Sequence, residues 1–155
     1  MNKSTIKIHI KNIAIAFVIA IFFIADRYLK NLALAHQNSK ELIGNLFTFN
    51  FTPNYFIAFS LPISGKLLEI SILLLIMIMT AWLVYLFKKG SQAILGLGLM
   101  AVILGSTSNL IDRLGHGYVI DYLYLKYFTV FNLADFLIVA GAVIIFFGLN
   151  KKTSS

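Results

Sequence analysis

The 155-residue chain is 59% hydrophobic and 12% charged, with a net charge of +7 and a mean hydropathy of +0.87. Soluble domains are about 45–50% apolar and about 25% charged, so this composition excludes an ordinary soluble domain and indicates a membrane protein. The chain has no cysteine, which excludes disulfides, thiolate nucleophiles and cysteine zinc sites, and its three histidines form no HExxH motif. Attraction to anionic lipid is enough to explain the positive net charge, and nothing in the sequence indicates nucleic-acid binding.

Four apolar stretches approach the roughly 20 residues needed to cross a bilayer. The strictly apolar part of the first ends at Ala25, so this helix must continue through Asp26, Arg27 and Lys30. The third contains small residues, Gly105 among them, that let a neighbouring helix approach closely, and we expect it to pack centrally. The sequence predicts one polytopic, all-α membrane domain over residues 1–155, with spans near 12–34, 67–87, 93–111 and 130–149 and outer segments at 35–66 and 112–129.

The first apolar stretch also fits a second interpretation, a cleaved signal peptide, because Ala33-Leu34-Ala35 is similar to a cleavage site. Cleavage sites normally follow the apolar run closely and are bordered by small neutral residues. Here Asp26, Arg27 and Lys30 lie between the run and that site. We therefore predict that the segment is retained as a helix.

Basic residues at the ends of the predicted helices indicate the orientation of the chain. They cluster at the first terminus, in the middle loop and at the last terminus, which an even number of spans places on one side of the membrane. We assign that side to the cytoplasm. All six acidic residues then fall toward the outer side: Asp26, Glu41, Glu69, Asp112, Asp121 and Asp135.

The first outer segment contains a strand pattern, in which Phe47, Phe49 and Phe51 alternate with polar residues. We predict a small outer β-sheet that rests its phenylalanine face on the bilayer, with a second extended stretch at 118–127; an irregular interfacial loop is the alternative. Six of the seven tyrosines, Tyr122 among them, lie on this side, where rings with a polar tip suit the lipid headgroup layer.

Four short stretches concentrate the polar residues. They are DRYLK from Asp26, NYFIAF from Asn54, GSTSNLIDR from Gly105, and GYVID with FNLAD, which end at Asp121 and Asp135. In order, spacing and four-helix frame they resemble the lipoprotein signal peptidases, the type II signal peptidases of bacteria, over nearly the whole chain. One departure is Phe56, where that family usually carries glycine, so the turn after Asn54 is expected to differ.

The resemblance implies an intramembrane aspartic endopeptidase that removes the signal peptide of diacylglyceryl-modified prolipoproteins, cutting before the lipidated cysteine. Its catalytic pair would be Asp121 and Asp135, and no cofactor or metal is implied. The implied partners are the prolipoprotein and membrane lipid, and we expect a monomer. An outer loop or helix would form a lid over the peptide, which we state as a hypothesis.

The aspartates also support this function on physical grounds. Asp121 lies in an outer loop and Asp135 begins the last helix, so a chain reversal would bring them together. Two carboxyl groups at close range in apolar surroundings repel as anions, so one proton is shared and one group acts as base while the other acts as acid. The sequence does not assign the resting proton to either group.

The remaining polar residues each have a functional and a plainer interpretation. Asn109 and Arg113 share a helix face and would contact the substrate backbone. In the plainer interpretation, Arg113 only extends its charged group to the membrane surface. Asn132 would support the site or merely cap the last helix, and Asn54 is a supporting residue by resemblance. The predicted structural residues are Asp26 and Lys30, an ion pair at i and i+4, and Asp112, which would anchor a loop, while His116 is expected in a turn.

A competing function is a small proton- or cation-coupled transporter or channel subunit, since acids near a membrane also mark ion pathways. Transporters often have repeated halves with charges near the middle of the membrane. In this chain the acids lie toward one interface and the halves are dissimilar. The GxGD intramembrane aspartyl proteases are excluded because the sequence contains no GxGD string.

Overall fold

The computed structural model describes residues 3–36, 39–44, 46–55, 65–90 and 92–153, and it describes no side chains for 3–5, 7–9 and 151–153. These residues contain four helices and four strands. The helices are α1 (Lys3–Ala35), α2 (Lys66–Lys89), α3 (Ala93–His116) and α4 (Leu133–Thr153), and the strands are β1 (Lys40–Ile43), β2 (Phe47–Asn54), β3 (Val119–Leu125) and β4 (Val130–Phe131). Their order along the chain is α1, β1, β2, α2, α3, β3, β4 and α4. Phe56 and most of the expected lid lie outside the described residues.

All four helices are long and apolar enough to cross a membrane. Helix α3 contacts the other three helices, and 61% of its membrane-spanning window is buried, which confirms the central position that its glycines predicted. Gly98 and Gly141 explain the close fit between α3 and α4, because a β-carbon at either position would lie within 3.0 Å of the facing helix.

Helix α3 is longer than predicted and ends at His116. Arg113 is therefore helical, as its spacing from Asn109 predicted. Asp112 is helical too, and His116 is the last helical residue instead of a turn residue. The turn is made by Gly117, which has φ 80° and whose N–H donates to the carbonyl of Arg113 at 2.9 Å. That left-handed conformation suits glycine, which carries no β-carbon.

The four strands form one antiparallel sheet in the order β1-β2-β3-β4. This confirms the predicted small sheet and adds β1, which the sequence pattern did not reveal. Strand β2 places Thr52 opposite Asp121, and a bulge between Phe49 and Thr52 shifts the register. The sheet thereby sets Asn54, the last residue of β2, beside the strand that carries Asp121.

The face of the sheet that carries Phe49 packs on the protein itself. Phe49 is only 8% exposed and lies in a cluster with Ala33 of α1 and with Ile120 and Tyr122 of β3. The prediction that this phenylalanine rests on the bilayer was therefore wrong. Tyr122 was also misplaced, because it is fully buried in the same cluster instead of lying in the headgroup layer.

Candidate active site

Asn132 forms hydrogen bonds with both Asp121 and Asp135. Its side-chain amide donates to Asp121 Oδ1 at 2.6 Å, and its backbone N–H donates to Asp135 Oδ2 at 3.1 Å. The residue immediately precedes α4, while Asp121 is the third residue of β3. The chain reversal through β4 thus gathers both carboxyl groups around one asparagine.

Two further asparagines approach the carboxyl groups from other elements. Asn54 of β2 donates to Asp121 Oδ2 at 3.0 Å, and Asn109 of α3 donates to Asp135 Oδ1 at 2.8 Å. Each oxygen of the two carboxyl groups therefore accepts a hydrogen bond from an asparagine. The three amides leave the carboxyl groups little freedom to rotate, which is the rigidity that a reacting pair needs.

Asp121 is 2% exposed and titrates far from the usual range of an aspartate. Burial, followed by the nearby charge of Asp135, raises its pKa to about 7. The hydrogen bonds from Asn54 and Asn132 act in the opposite direction, because they stabilise the carboxylate. Near neutral pH the group therefore exists in both protonation states, as acid–base chemistry requires.

The first turn of α4 is capped by three side chains, from Asn132, from Tyr122 of β3 and from Asp26 of α1. Asn132 Oδ1 accepts from the N–H of Asp135 at 2.8 Å, which together with the reciprocal bond forms a capping box. The N–H of Leu133 donates to the Tyr122 hydroxyl at 3.1 Å, and that of Ala134 donates to Asp26 Oδ1 at 3.1 Å. These bonds satisfy N–H groups that have no partner within the helix and fix the position of Asp135.

A network of four charged side chains adjoins the site through the contact of Lys30 with Asn109, and it is formed by Asp26, Arg27, Lys30 and Asp112. Lys30 Nζ lies 3.2 Å from Asp26 and 2.7 Å from Asp112, and Arg27 contacts Asp112 at 2.5 Å. Asp112 also accepts from the backbone N–H of Ile120 at 3.2 Å, next to Asp121. Two cations and two anions balance, which is the condition under which buried charges are tolerated.

Gly105 permits α3 to touch the first turn of α4. A β-carbon at this position would lie 2.5 Å from the carbonyl oxygen of Ala134, the residue before Asp135. Arg113 lies two turns further along α3, is partly buried, and interacts electrostatically with Asp135 and Asp121. The guanidinium therefore stands close enough to the pair to compensate its negative charge.

The arrangement supplies two carboxyl groups with different surroundings, fixed by amides and accompanied by an arginine. Such a pair can activate water with one member and protonate a reacting group with the other. Among the described residues, no group of three or more histidine, cysteine, aspartate or glutamate side chains is arranged to hold a metal ion.

Comparison with known proteins gives the family. The sequence profile described as "Signal peptidase (SPase) II" matches residues 18–150. This chain belongs to the signal peptidase II family. It is 39% identical over 142 residues to the lipoprotein signal peptidase of Shewanella loihica, covering 83% of this chain and 81% of that protein. It is 30% identical over 144 residues to the lipoprotein signal peptidase of Clostridium tetani, covering 87% and 91%.

A solved bacterial membrane enzyme, studied by the in meso method at 2.3 Å resolution, has the same fold as this signal peptidase II family member. Its TM-score is 0.73 at 26% sequence identity, over 93% of this chain and 90% of that one. Because it belongs to this family, the chain is a bacterial membrane peptidase that crosses the membrane several times. The alternative of a transporter or channel subunit finds no support in these relatives.

Most of the residues that this family member gathers at the site were predicted from its sequence. Asn54, Asn109, Asn132, Asp121 and Asp135 form one hydrogen-bonded cluster. Three contributors had no predicted role, and each lies beside a residue that had one: Arg27, Ser108 and Tyr122. Their adjacency to Asp26, Asn109 and Asp121 was the available signal, but the burial of these side chains depends on the tertiary fold.

Proposed function

We propose that this chain removes signal peptides from diacylglyceryl-modified prolipoproteins, cutting before the lipidated cysteine. The observation that carries the proposal is the pair of bonds from Asn132 to Asp121 and Asp135, which brings both aspartates to one point. The names of the relatives support the substrate class, since each is a lipoprotein signal peptidase.

Asp121 and Asp135 are the proposed catalytic residues. The ionised member removes a proton from water, and the oxygen of that water attacks the scissile carbonyl while the neutral member donates a hydrogen bond to the carbonyl oxygen. The intermediate then collapses, the C–N bond breaks, and the leaving nitrogen takes a proton from the pair. The near-neutral pKa of Asp121, raised to about 7, suits a group that alternates between these two states.

The neighbouring polar groups are assigned supporting roles. Asn54, Asn109 and Asn132 orient the carboxyl oxygens through the hydrogen bonds described above. Arg113 compensates negative charge as it develops and binds the backbone of the substrate peptide. Asp26, Lys30 and Asp112 hold the helices that carry these groups.

The site is assigned to the outer face of a bacterial cytoplasmic membrane, with both termini in the cytoplasm. Lysines at 88 and 89 close the last turn of α2, at the end remote from the aspartates, which agrees with the positive-inside rule. The diacylglyceryl group would lie among the helices within the membrane lipid, and the peptide would reach the aspartates from the outer surface. We propose a monomer as the active form, with an outer loop acting as a lid over the bound peptide.

The direct test uses purified protein in lipid vesicles with a precursor that carries the diacylglyceryl cysteine. We expect Asp121→Asn and Asp135→Asn to abolish cleavage while both variants insert normally. Glu41→Gln is the matched control, since it removes an exposed carboxylate from β1 and should cleave at the wild-type rate. The same precursor without its lipid should be a poor substrate. Unchanged cleavage in both aspartate variants would refute the mechanism, and indifference to the lipid would refute the substrate class.

A further inference from the structure

Lys30 is a buried cation in direct contact with an amide of the active site. Its side chain has no exposed surface, and its Nζ donates to Asn109 Oδ1 at 2.7 Å. We propose that Lys30 is a positioning residue of the peptidase, which holds the Asn109 amide with its N–H toward Asp135. This inference rests on the proposed function, because it concerns the geometry of the same aspartate pair.

The amide of Asn109 has an oxygen that accepts and a nitrogen that donates, so its orientation decides what it presents to Asp135. The oxygen accepts from Lys30 at 2.7 Å and from Asn132 Nδ2 at 3.2 Å. The nitrogen donates to Asp135 Oδ1 at 2.8 Å. A half-turn of the amide would set its N–H groups against two donors and its oxygen against a carboxyl oxygen.

The ammonium of Lys30 is the stronger of the two donors that prevent this turn. A charged donor forms a shorter bond than a neutral amide, as the two distances show. It also cannot act as an acceptor, so it would oppose the turned amide in any rotamer. Asn132 alone is less restrictive, because its own amide can rotate.

The position of Lys30 is itself fixed by charge. Asp26 Oδ2 lies 3.2 Å from its Nζ and Asp112 Oδ2 lies 2.7 Å away, on two different helices. Ser108 adds a contact at 3.4 Å. The ion pairs explain why the ammonium stays buried, and the contact with Asn109 transmits its position to Asp135. A purely structural lysine would only join α1 to α3.

These two roles predict different behaviour in a double-mutant cycle on kcat. We expect Lys30→Met to lower kcat roughly 100-fold, the scale of a misplaced catalytic group, with little change in KM. In the Asn109→Ala background the same substitution should cost less than about 3-fold, because the amide that it positions is absent. The control cycle pairs Lys30 with Asn54, whose amide donates to Asp121. In that cycle the effects of the two single substitutions on kcat should multiply.

Removing one cation risks unfolding, so the cycle is also run in the Asp112→Asn background. There Lys30→Met leaves one cation, Arg27, and one anion, Asp26, so the net charge of the network stays at zero, and thermal unfolding in detergent reports whether the fold is kept. Losses that multiply for Lys30 and Asn109, as in the control cycle, would overturn the inference, and so would a Lys30→Met variant with wild-type kcat. Failure of the proposed function itself would be recognised separately, because wild-type protein would then leave the lipidated precursor uncut.

Discussion

Gly105 lies directly against the backbone of Ala134, where a β-carbon would stand 2.5 Å from the carbonyl oxygen. That oxygen belongs to the first turn of α4, one residue before Asp135. The contact couples the packing of two membrane-spanning helices to the position of a proposed catalytic group.

We expect Gly105→Ala to lower kcat by roughly 100-fold, because the added methyl must displace the backbone that carries Asp135. Gly96→Ala is the matched control on the same helix, where the β-carbon would meet only Leu83 at 3.5 Å, an ordinary contact. Cleavage of the lipidated precursor and thermal unfolding are measured for both. Equal activity of the two variants would show that α4 tolerates the shift.

Asn132 combines two functions that separate substitutions can distinguish. Asn132→Ala removes the helix cap and the bond to Asp121, so we expect a loss of about 1 kcal/mol in stability together with the loss of activity. Asn132→Ser keeps a good cap but cannot donate to Asp121 as the amide does, so stability should be largely retained while activity falls. Active Asn132→Ser protein would show that the cap alone matters.

The helices were predictable because their hydropathy and length can be read from continuous stretches of sequence. Their ends were harder to predict, because they depend on turns and caps. The left-handed turn at Gly117 lets α3 continue to His116, and the cap at Asn132 starts α4 after β4. The end of α3 does not follow from apolar content, whereas the spacing of Asn132 and Asp135 did indicate a cap at the start of α4. The spacing of polar motifs indicated the aspartate pair, because a reversal between Asp121 and Asp135 was the simplest connection.

The remaining features depend on contacts between distant parts of the chain. Asp112 lies more than 80 residues from Arg27, so their ion pair has no local signature. Tyr122 is an ordinary interfacial residue by its chemistry, and only the fold buries it beside Asp26. Strand β1 is short and fully exposed, so its sequence lacks the alternation that reveals β2.

The stability of the protein should depend on pH through Asp121. Its pKa is raised from 3.8 to about 7 in the folded protein, so between these values the folded state binds more protons than the unfolded state. Stability is therefore expected to fall as pH rises through this interval. Asp121→Asn should remove that part of the dependence and be the more stable protein above neutral pH.

Thermal unfolding in detergent, measured across the same pH interval for wild type and Asp121→Asn, tests this prediction. Glu41→Gln serves as the control, because it removes an exposed carboxylate and should follow the wild-type curve. Parallel curves for wild type and Asp121→Asn would contradict the prediction.

The hydroxyl of Tyr122 bridges two structural elements, since it donates to Asp26 Oδ1 at 2.9 Å and accepts from the N–H of Leu133. Burial, followed by the charge of Asp26, raises the pKa of Tyr122, so the hydroxyl remains a donor at all physiological pH. Tyr122→Phe removes one hydrogen bond from Asp26 and one from the N–H of Leu133. We therefore expect a loss of about 1–3 kcal/mol in stability. Tyr124→Phe, at an exposed position of the same strand, should change little. Equal unfolding temperatures for the two variants would be inconsistent with a buried bridge.

The orientation can be tested directly because the chain has no cysteine, so a single introduced thiol is an unambiguous label site. Phe128, in the turn after β3, is 77% exposed, and Lys89 is exposed at the end of α2. A membrane-impermeant maleimide should label Phe128→Cys in intact cells with a permeabilised outer membrane, since we place β3 on the outer side. Lys89→Cys should react only after the inner membrane is broken, because lysines at helix ends favour the cytoplasm. The reverse pattern would move the aspartates to the cytoplasmic face, where a precursor exposed on the outer surface could not reach them.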